Sequence, residues 1–216
     1  MVVTALEQLT RKKTKLYLDE DLKGILYPQE IRRYHIVQGA ELSESQWETL
    51  YQEVILRRAK QKAMALLVRM DYSEYGMRCK LQREYYCEQA IEDTISFLYS
   101  YHYLDDVRYA QQFMISRGGS MGRTEIRRKL RAQGIRDDII VQVYEEAGLE
   151  DMDILHEQMK KRLAGRTQLD DKEQRKIISY FLRRGFSYTK IAAVMRCYVK
   201  NECSDMWEFS DDIHLI

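Results

Sequence analysis

The sequence predicts an all-α protein built as tandem three-helix repeats (three units) in an elongated curved array, with a small N-terminal β-element. Three observations carry that expectation. Pro28 is the only proline in 216 residues, and a chain so poor in helix breakers favours long helical stretches. From Ser43 to about Tyr198 the apolar residues recur at three- and four-residue steps, as at Leu50, Val54, Ala63, Leu66 and Leu67, which is the period of helices with one buried face. The pattern then returns with a period of about 50 residues. Such a period marks stacked modules, none of which can bury its apolar face alone.

Residues 1–42 read as the β-element with a short helix. Val2-Val3 leads into an apolar stretch, and Lys15–Asp19 and Gly24–Tyr27 have the look of short strands around a turn. Pro28 then stands where a first helical position accepts it, opening a short helix through Tyr34. Residues 43–104 hold a linker helix and the first repeat. The helix starts at Ser43, where Ser43-x-x-Gln46 fits a capping box. Residues 105–149 form the second repeat: Asp105-Asp106 can cap a helix ending at Arg117-Gly118-Gly119, another runs from about Gly122 to Gln133 and stops at Gly134, and a third begins at Asp137-Asp138 and ends at Gly148. Acidic residues at starts and glycines at ends satisfy the free backbone groups of helix termini. Residues 150–200 form the third repeat. Residues 201–216, with five acids and no Lys or Arg, read as a frayed or loosely docked acidic tail.

The repeat can be aligned residue by residue. A shift of about 49 places Lys80-Leu81 on Lys129-Leu130, Tyr86 on Ile135 and Ile91 on Ile140. A further shift of about 51 places Leu130 on Phe181, Gly134 on Gly185, Ile135 on Phe186 and Ile140 on Ile191. The first unit departs from the other two by carrying Tyr85 where they have glycine.

The total charge conceals its distribution. Lys and Arg number 35 against 34 Asp and Glu, so the balance alone announces no nucleic-acid partner. Yet residues 117–136 carry Arg117, Arg123, Arg127, Arg128, Lys129, Arg131 and Arg136 against one acid, Glu125. Arg78, Lys80 and Arg83 occupy the equivalent short helix of the first unit, and Arg175, Lys176, Arg183 and Arg184 that of the third. At 3.6 residues per turn, Ile126 and Leu130 share one face. Arg123, Arg127 and Arg131 then form a stripe on its flank, and Arg128 points away. Stacked like charges disfavour an isolated helix, so a row of arginines short of acidic partners implies an anion alongside. Phosphates fit, and so does an acidic protein groove; a merely solvated face is the plain alternative. The candidate contact face is Arg78, Lys80, Arg83, Arg117, Arg123, Arg127, Arg128, Arg131, Arg183 and Arg184. Tyr85-Tyr86, Tyr99, Tyr101 and Tyr103 could stack bases, although packing between stacked helices is the commoner role of aromatics at helix ends.

Catalytic constellations are absent from the sequence. Gly118-Gly119-Ser120-Met121-Gly122 lacks the Lys-Ser/Thr of a phosphate loop. His35, His102, His156 and His214 are scattered. Cys79, Cys87, Cys197 and Cys203 form no C-x-x-C pair and read as reduced thiols. Neither an enzyme, a cofactor nor a metal is expected. No apolar run approaches membrane-spanning length and no secretory signal opens the chain, so a cytoplasmic protein is expected.

The second unit carries a resemblance. Tyr103-Leu104-Asp105-Asp106-Val107-Arg108-Tyr109-Ala110, then Arg117, then Gly122-Arg123-Thr124-Glu125-Ile126-Arg127-Arg128-Lys129-Leu130-Arg131-Ala132-Gln133-Gly134-Ile135, is similar to the RecX family. Tyr180-Phe181-Leu182-Arg183-Arg184-Gly185-Phe186-Ser187 resembles the closing segment of that family, and the likeness covers roughly residues 57–200. It implies three-helix repeats that lie in the groove of the RecA–single-stranded DNA filament and modulate RecA recombinase, ATPase and co-protease activities in DNA repair, recombination and the SOS response. Inhibition is the expected sign. The RecA filament and single-stranded DNA would be the partners of a monomer. Two other readings stay open: a duplex DNA-binding regulator using the helix-turn-helix-like segment Ser187–Val194, and a protein-only helical adaptor.

Overall fold

The computed structural model describes residues 1–166 and 168–199. The expected acidic tail therefore lies outside the described residues. The chain divides after Tyr109 into two compact units.

The first unit opens with a three-stranded antiparallel sheet, β1 (Val3–Thr10), β2 (Lys13–Leu18) and β3 (Asp21–Leu26), in the order β1-β2-β3. Two of its strands cover the segments expected from sequence, except that Asp19 falls in the turn after β2 and Tyr27 caps α1. The third, β1, arises from what read only as an apolar lead-in. Val3 is its one buried residue and Glu7 to Thr10 are exposed, so the inside–outside alternation that announces a strand is too weak there to see. The β2–β3 turn is equally silent: Asp19 and Glu20 have φ of 49° and 71°, the left-handed pair a tight hairpin turn needs, without the usual Asn-Gly. Local hydrogen bonds hold it, with Val2 N–H donating to Asp19 Oδ1 at 2.7 Å and Glu20 N–H to Thr4 Oγ1 at 3.0 Å.

Helix α1 (Pro28–Arg33) begins with Pro28 in its first turn, as expected. Helix α2 (Glu44–Leu50) carries the expected box, Ser43 Oγ accepting from Gln46 N–H and Gln46 Oε1 from Ser43 N–H. It runs through a π-helical turn, Tyr51–Leu56, into α3 (Arg57–Leu67). The extra residue per turn places Tyr51, Val54, Ile55 and Leu56 all inward, where they cover Leu16, Leu18 and Leu26 of the sheet. Helices α4 (Glu74–Arg83) and α5 (Glu88–Ser100) pack on α3 around Ala63, Met77, Leu81, Ile91, Ile95 and Leu98. That makes one three-helix module.

Helix α6 (Asp106–Arg117) starts as expected, with Asp105 Oδ1 accepting from Val107 and Arg108 N–H at 2.9 and 3.0 Å. Asp106 turns elsewhere and accepts from Glu74 N–H, at the start of α4. In the second unit a 3₁₀ turn (Gly118–Ser120) leads to α7 (Arg123–Ala132) and α8 (Asp137–Glu146). Helices α9 (Asp151–Leu163), α10 (Asp171–Arg183) and α11 (Tyr188–Val199) enclose a further core of Leu155, Met159, Leu163, Phe181, Ile191 and Val194. Among the described residues no helix is long and apolar enough to cross a membrane.

The repeat is visible in the backbone. Leu81, Leu130 and Phe181, aligned by sequence, are each fully buried, a contribution of about 1.5–3 kcal/mol apiece. In each module the carbonyl of that residue accepts from a residue five positions on: Tyr86 N–H at 3.3 Å, Ile135 at 3.1 Å and Phe186 at 3.2 Å. The intervening residue is left-handed, as this helix stop requires: Gly134 and Gly185 at φ 77° and 86°, and Tyr85 at 64°.

Candidate functional site

Helix α7 sets the arginine stripe. Its N-cap is Gly122, its buried side is Ile126 and Leu130, and Arg123, Arg127 and Arg131 stand exposed on the flank. The sequence predicts few acidic partners for this row; the structure adds Asp137. Asp137, the first residue of α8, accepts from Arg127 Nε at 3.1 Å and Arg131 Nε at 2.7 Å. Two hydrogen-bonded guanidinium groups hold its carboxyl well below the usual carboxylate range. Asp137 was expected to cap α8, but the N-cap is Arg136 with no side-chain cap bond, and Asp138 pairs with Arg136. Arg128 makes a two-pronged bond to Glu125 at 2.7 and 2.8 Å. The arginines still keep 48–67% of their side-chain surface in solvent.

These side chains form one wall of a groove of about 620 Å³, which Ser187 and Lys190, from the start of α11 and the residue before it, close on the other side. Asp151 ties the walls together. Its carboxylate accepts from Lys190 Nζ at 2.9 Å, Tyr144 Oη at 3.0 Å and Arg123 N–H at 2.9 Å. Burial works against its ionisation, but these three donors outweigh it and hold the pKa below the ordinary value. The Arg123 guanidinium lies 4.9 Å from the Tyr144 ring centroid, so that α8 supports it from beneath. Sequence reasoning missed Asp151, Tyr144 and Lys190, because a contact across 39 residues leaves no periodic trace.

The other candidate residues fall into different surroundings. Arg184 is half-buried, donating from Nη1 to the Ser120 carbonyl at 2.9 Å, so it holds α10 to the 3₁₀ turn. Arg183 is exposed on a separate patch of α10, and Arg117 is exposed at the end of α6. On α4 of the first unit, Arg78 is engaged by Glu74 at 2.7 Å, by Glu92, and by Glu88 at 3.8 Å. Lys80 is half-buried near the Tyr72 ring, and Arg83 is exposed. The aromatics mostly pack, although Tyr101 and Tyr103 stack on one another at 6.0 Å while remaining exposed.

Tandem three-helix modules define a helical-repeat protein. Known proteins narrow this. The family model described as the first three-helix domain of RecX matches residues 59–98, and that of the third three-helix domain matches residues 150–195. The regulatory protein RecX of Vibrio vulnificus is 30% identical over 133 residues, 61% of this chain and 87% of that protein. Its counterpart in Clostridium acetobutylicum is 26% identical over 202 residues, covering 90% of this chain and 94% of the relative. A crystal structure of regulatory protein RecX superposes with a TM-score of 0.55 at 18% identity, over 93% of this chain and 98% of that one, a likeness of fold. The chain belongs to the RecX family, whose named relatives are regulatory proteins.

Proposed function

We propose that this protein binds the RecA filament assembled on single-stranded DNA and restrains RecA recombinase, ATPase and co-protease activities. The observation that carries the reading is the α7 groove. Arg123, Arg127, Arg128, Arg131 and Lys190 gather there, partly neutralised by Asp137, Glu125 and Asp151, in a member of a family of regulatory proteins. Exposed arginines already arranged around carboxylates can exchange those partners for phosphate oxygens or for acidic side chains at small reorganisation cost. Arg83, Arg117 and Arg183, exposed on their own helices, would add contacts, whereas Arg78 would serve by tying α4 to α5 and Arg184 by holding α10 to the 3₁₀ turn.

The experiment is the DNA-dependent ATPase of a cognate RecA on single-stranded DNA, titrated with this protein at fixed salt. Inhibition at substoichiometric amounts is expected. Replacing Arg123, Arg127 and Arg131 together by alanine should weaken the effect at least tenfold with helicity unchanged. No effect of the folded wild-type protein on RecA would overturn the reading.

A further inference from the structure

We propose that the outer face of α10 is a second, independent surface: a phosphate track that takes the backbone of a single-stranded nucleic acid directly. The inference does not rest on the RecA reading. The track is a shallow depression of about 730 Å³ lined by Arg162 at the end of α9 and by Lys172, Arg175, Lys176, Ser179 and Arg183 of α10. Five cations face one carboxylate there, Asp171. Among the described residues none of the five forms an ion pair, and Arg162 is only laid over the Tyr180 ring at 3.8 Å. The contrast with the α7 groove is direct, since that groove carries its own counter-charges.

The spacing says what fits. Positions 172, 175, 176, 179 and 183 fall on one face of α10, opposite buried Ile177 and Phe181. From Lys172 to Arg183 the row runs roughly 16 Å at about 1.5 Å per residue. That length is enough to lie along several successive phosphates of one strand. It is one row along α10 with Arg162 of α9 beside it, matched to one strand, with no parallel row for the second backbone of a duplex. Like charges such as Lys172 and Lys176 at i, i+4 disfavour the bare helix, and an anion lying along them removes that cost. The Ser179 hydroxyl, on the same face, is a donor suited to a phosphate oxygen. An acidic protein partner is the weaker fit, because no apolar side chain lines the depression and protein interfaces draw their affinity from desolvated anchors.

The test is anisotropy titration of fluorescein-labelled oligothymidylate with the whole protein, in the absence of RecA, across a salt series. Replacing Lys172, Arg175 and Lys176 together by glutamine should lower affinity at least tenfold at low salt. It should also reduce the slope of log affinity against log salt by about 2, at about 0.7 per lost contact. A charge-matched control, Arg11→Gln with Lys12→Gln and Lys13→Gln, should leave both nearly unchanged. The charge-preserving set Lys172→Arg, Arg175→Lys and Lys176→Arg should keep the wild-type slope, so a folding defect cannot imitate the result. Four outcomes would overturn the inference. These are no oligothymidylate binding by wild-type protein, equal losses in the glutamine set and the control, tighter binding of the corresponding duplex, or loss of poly-glutamate binding alone.

Discussion

Gly122 and Gly185 meet backbone to backbone: the Gly122 N–H donates to the carbonyl of Arg184 at 2.8 Å, and a Cβ on Gly122 would lie 2.5 Å from the Gly185 carbonyl oxygen. The approach is mutual. A Cβ on Gly185 would come within 2.4 Å of Glu125 N, and the φ of Gly185 is +86°. The glycine that opens α7 and the glycine that closes α10 therefore serve one junction, which sets the arginine wall of the groove against Lys190. Gly122→Ala should destabilise by about 1–3 kcal/mol through overpacking. Gly185→Ala should cost about 1–2 kcal/mol more for the left-handed backbone. Urea unfolding checks this, and equal midpoints for Gly185→Ala and wild type would refute it.

Tyr85 pulls in the opposite direction. It holds the left-handed stop of α4 with a side chain that dislikes that conformation, at about 1–2 kcal/mol, while Gly134 and Gly185 hold the equivalent stops freely. Its compensation is the Lys15 ammonium 4.9 Å from its ring, a contact of about 0.5–1 kcal/mol when exposed. Strain exceeds compensation, so Tyr85→Gly should raise stability by about 0.5–1 kcal/mol. A lower thermal midpoint for the variant would mean that the ring does more than the Lys15 contact accounts for.

Asp151 makes the second unit sensitive to acid. Burial disfavours its charge, yet Lys190, Arg123 N–H and Tyr144 bring its pKa below the ordinary aspartate value. A group whose folded pKa is depressed contributes stability above its unfolded pKa, about 3.9, and loses that contribution as pH falls through the lower folded value. The contribution is thus complete at neutral pH and fades only below about pH 4. Asp151→Ala should destabilise by about 2–3 kcal/mol at neutral pH, since three donors lose a charged acceptor. The difference from wild type should shrink in acid. Urea midpoints at neutral pH and near pH 3 measure it, and a difference independent of pH would refute the charge argument.

Most of the helical architecture can be read from the chain because its signals are local. Ser43 and Gln46 cap α2 within three residues, and Gly134 and Gly185 stop their helices where the pattern ends. Leu81, Leu130 and Phe181 recur at the repeat period with complete burial. What escaped is decided elsewhere. Strand β1 is half-exposed, and the β2–β3 turn rests on Asp19 and Glu20, which do not advertise left-handed backbone. Asp137 looked like a cap because it stands at a helix start, and only the packing of α8 beside α7 turns its carboxylate to Arg127 and Arg131. The arginine stripe itself was legible; its degree of neutralisation was not.

That neutralisation can be tested by removing it. Asp137 is exposed and accepts from two stripe arginines, so an incoming anion must displace it before it can take both guanidinium groups. If the α7 groove binds an anionic partner, Asp137→Asn should tighten that binding three- to tenfold at low salt, since one competing charge is gone and two cations are released. The gain should vanish at high salt, where exposed charges are screened. Stability should change little, because exposed pairs of this kind contribute little to folding. The triple change of Arg123, Arg127 and Arg131 to alanine should abolish the gain when combined with Asp137→Asn, which ties the effect to the stripe and not to net charge. The measurement is the RecA ATPase titration repeated for the four proteins. Weaker inhibition by Asp137→Asn than by wild type would mean that Asp137 orients the arginines for their partner, and the picture of an internal competitor would have to be abandoned.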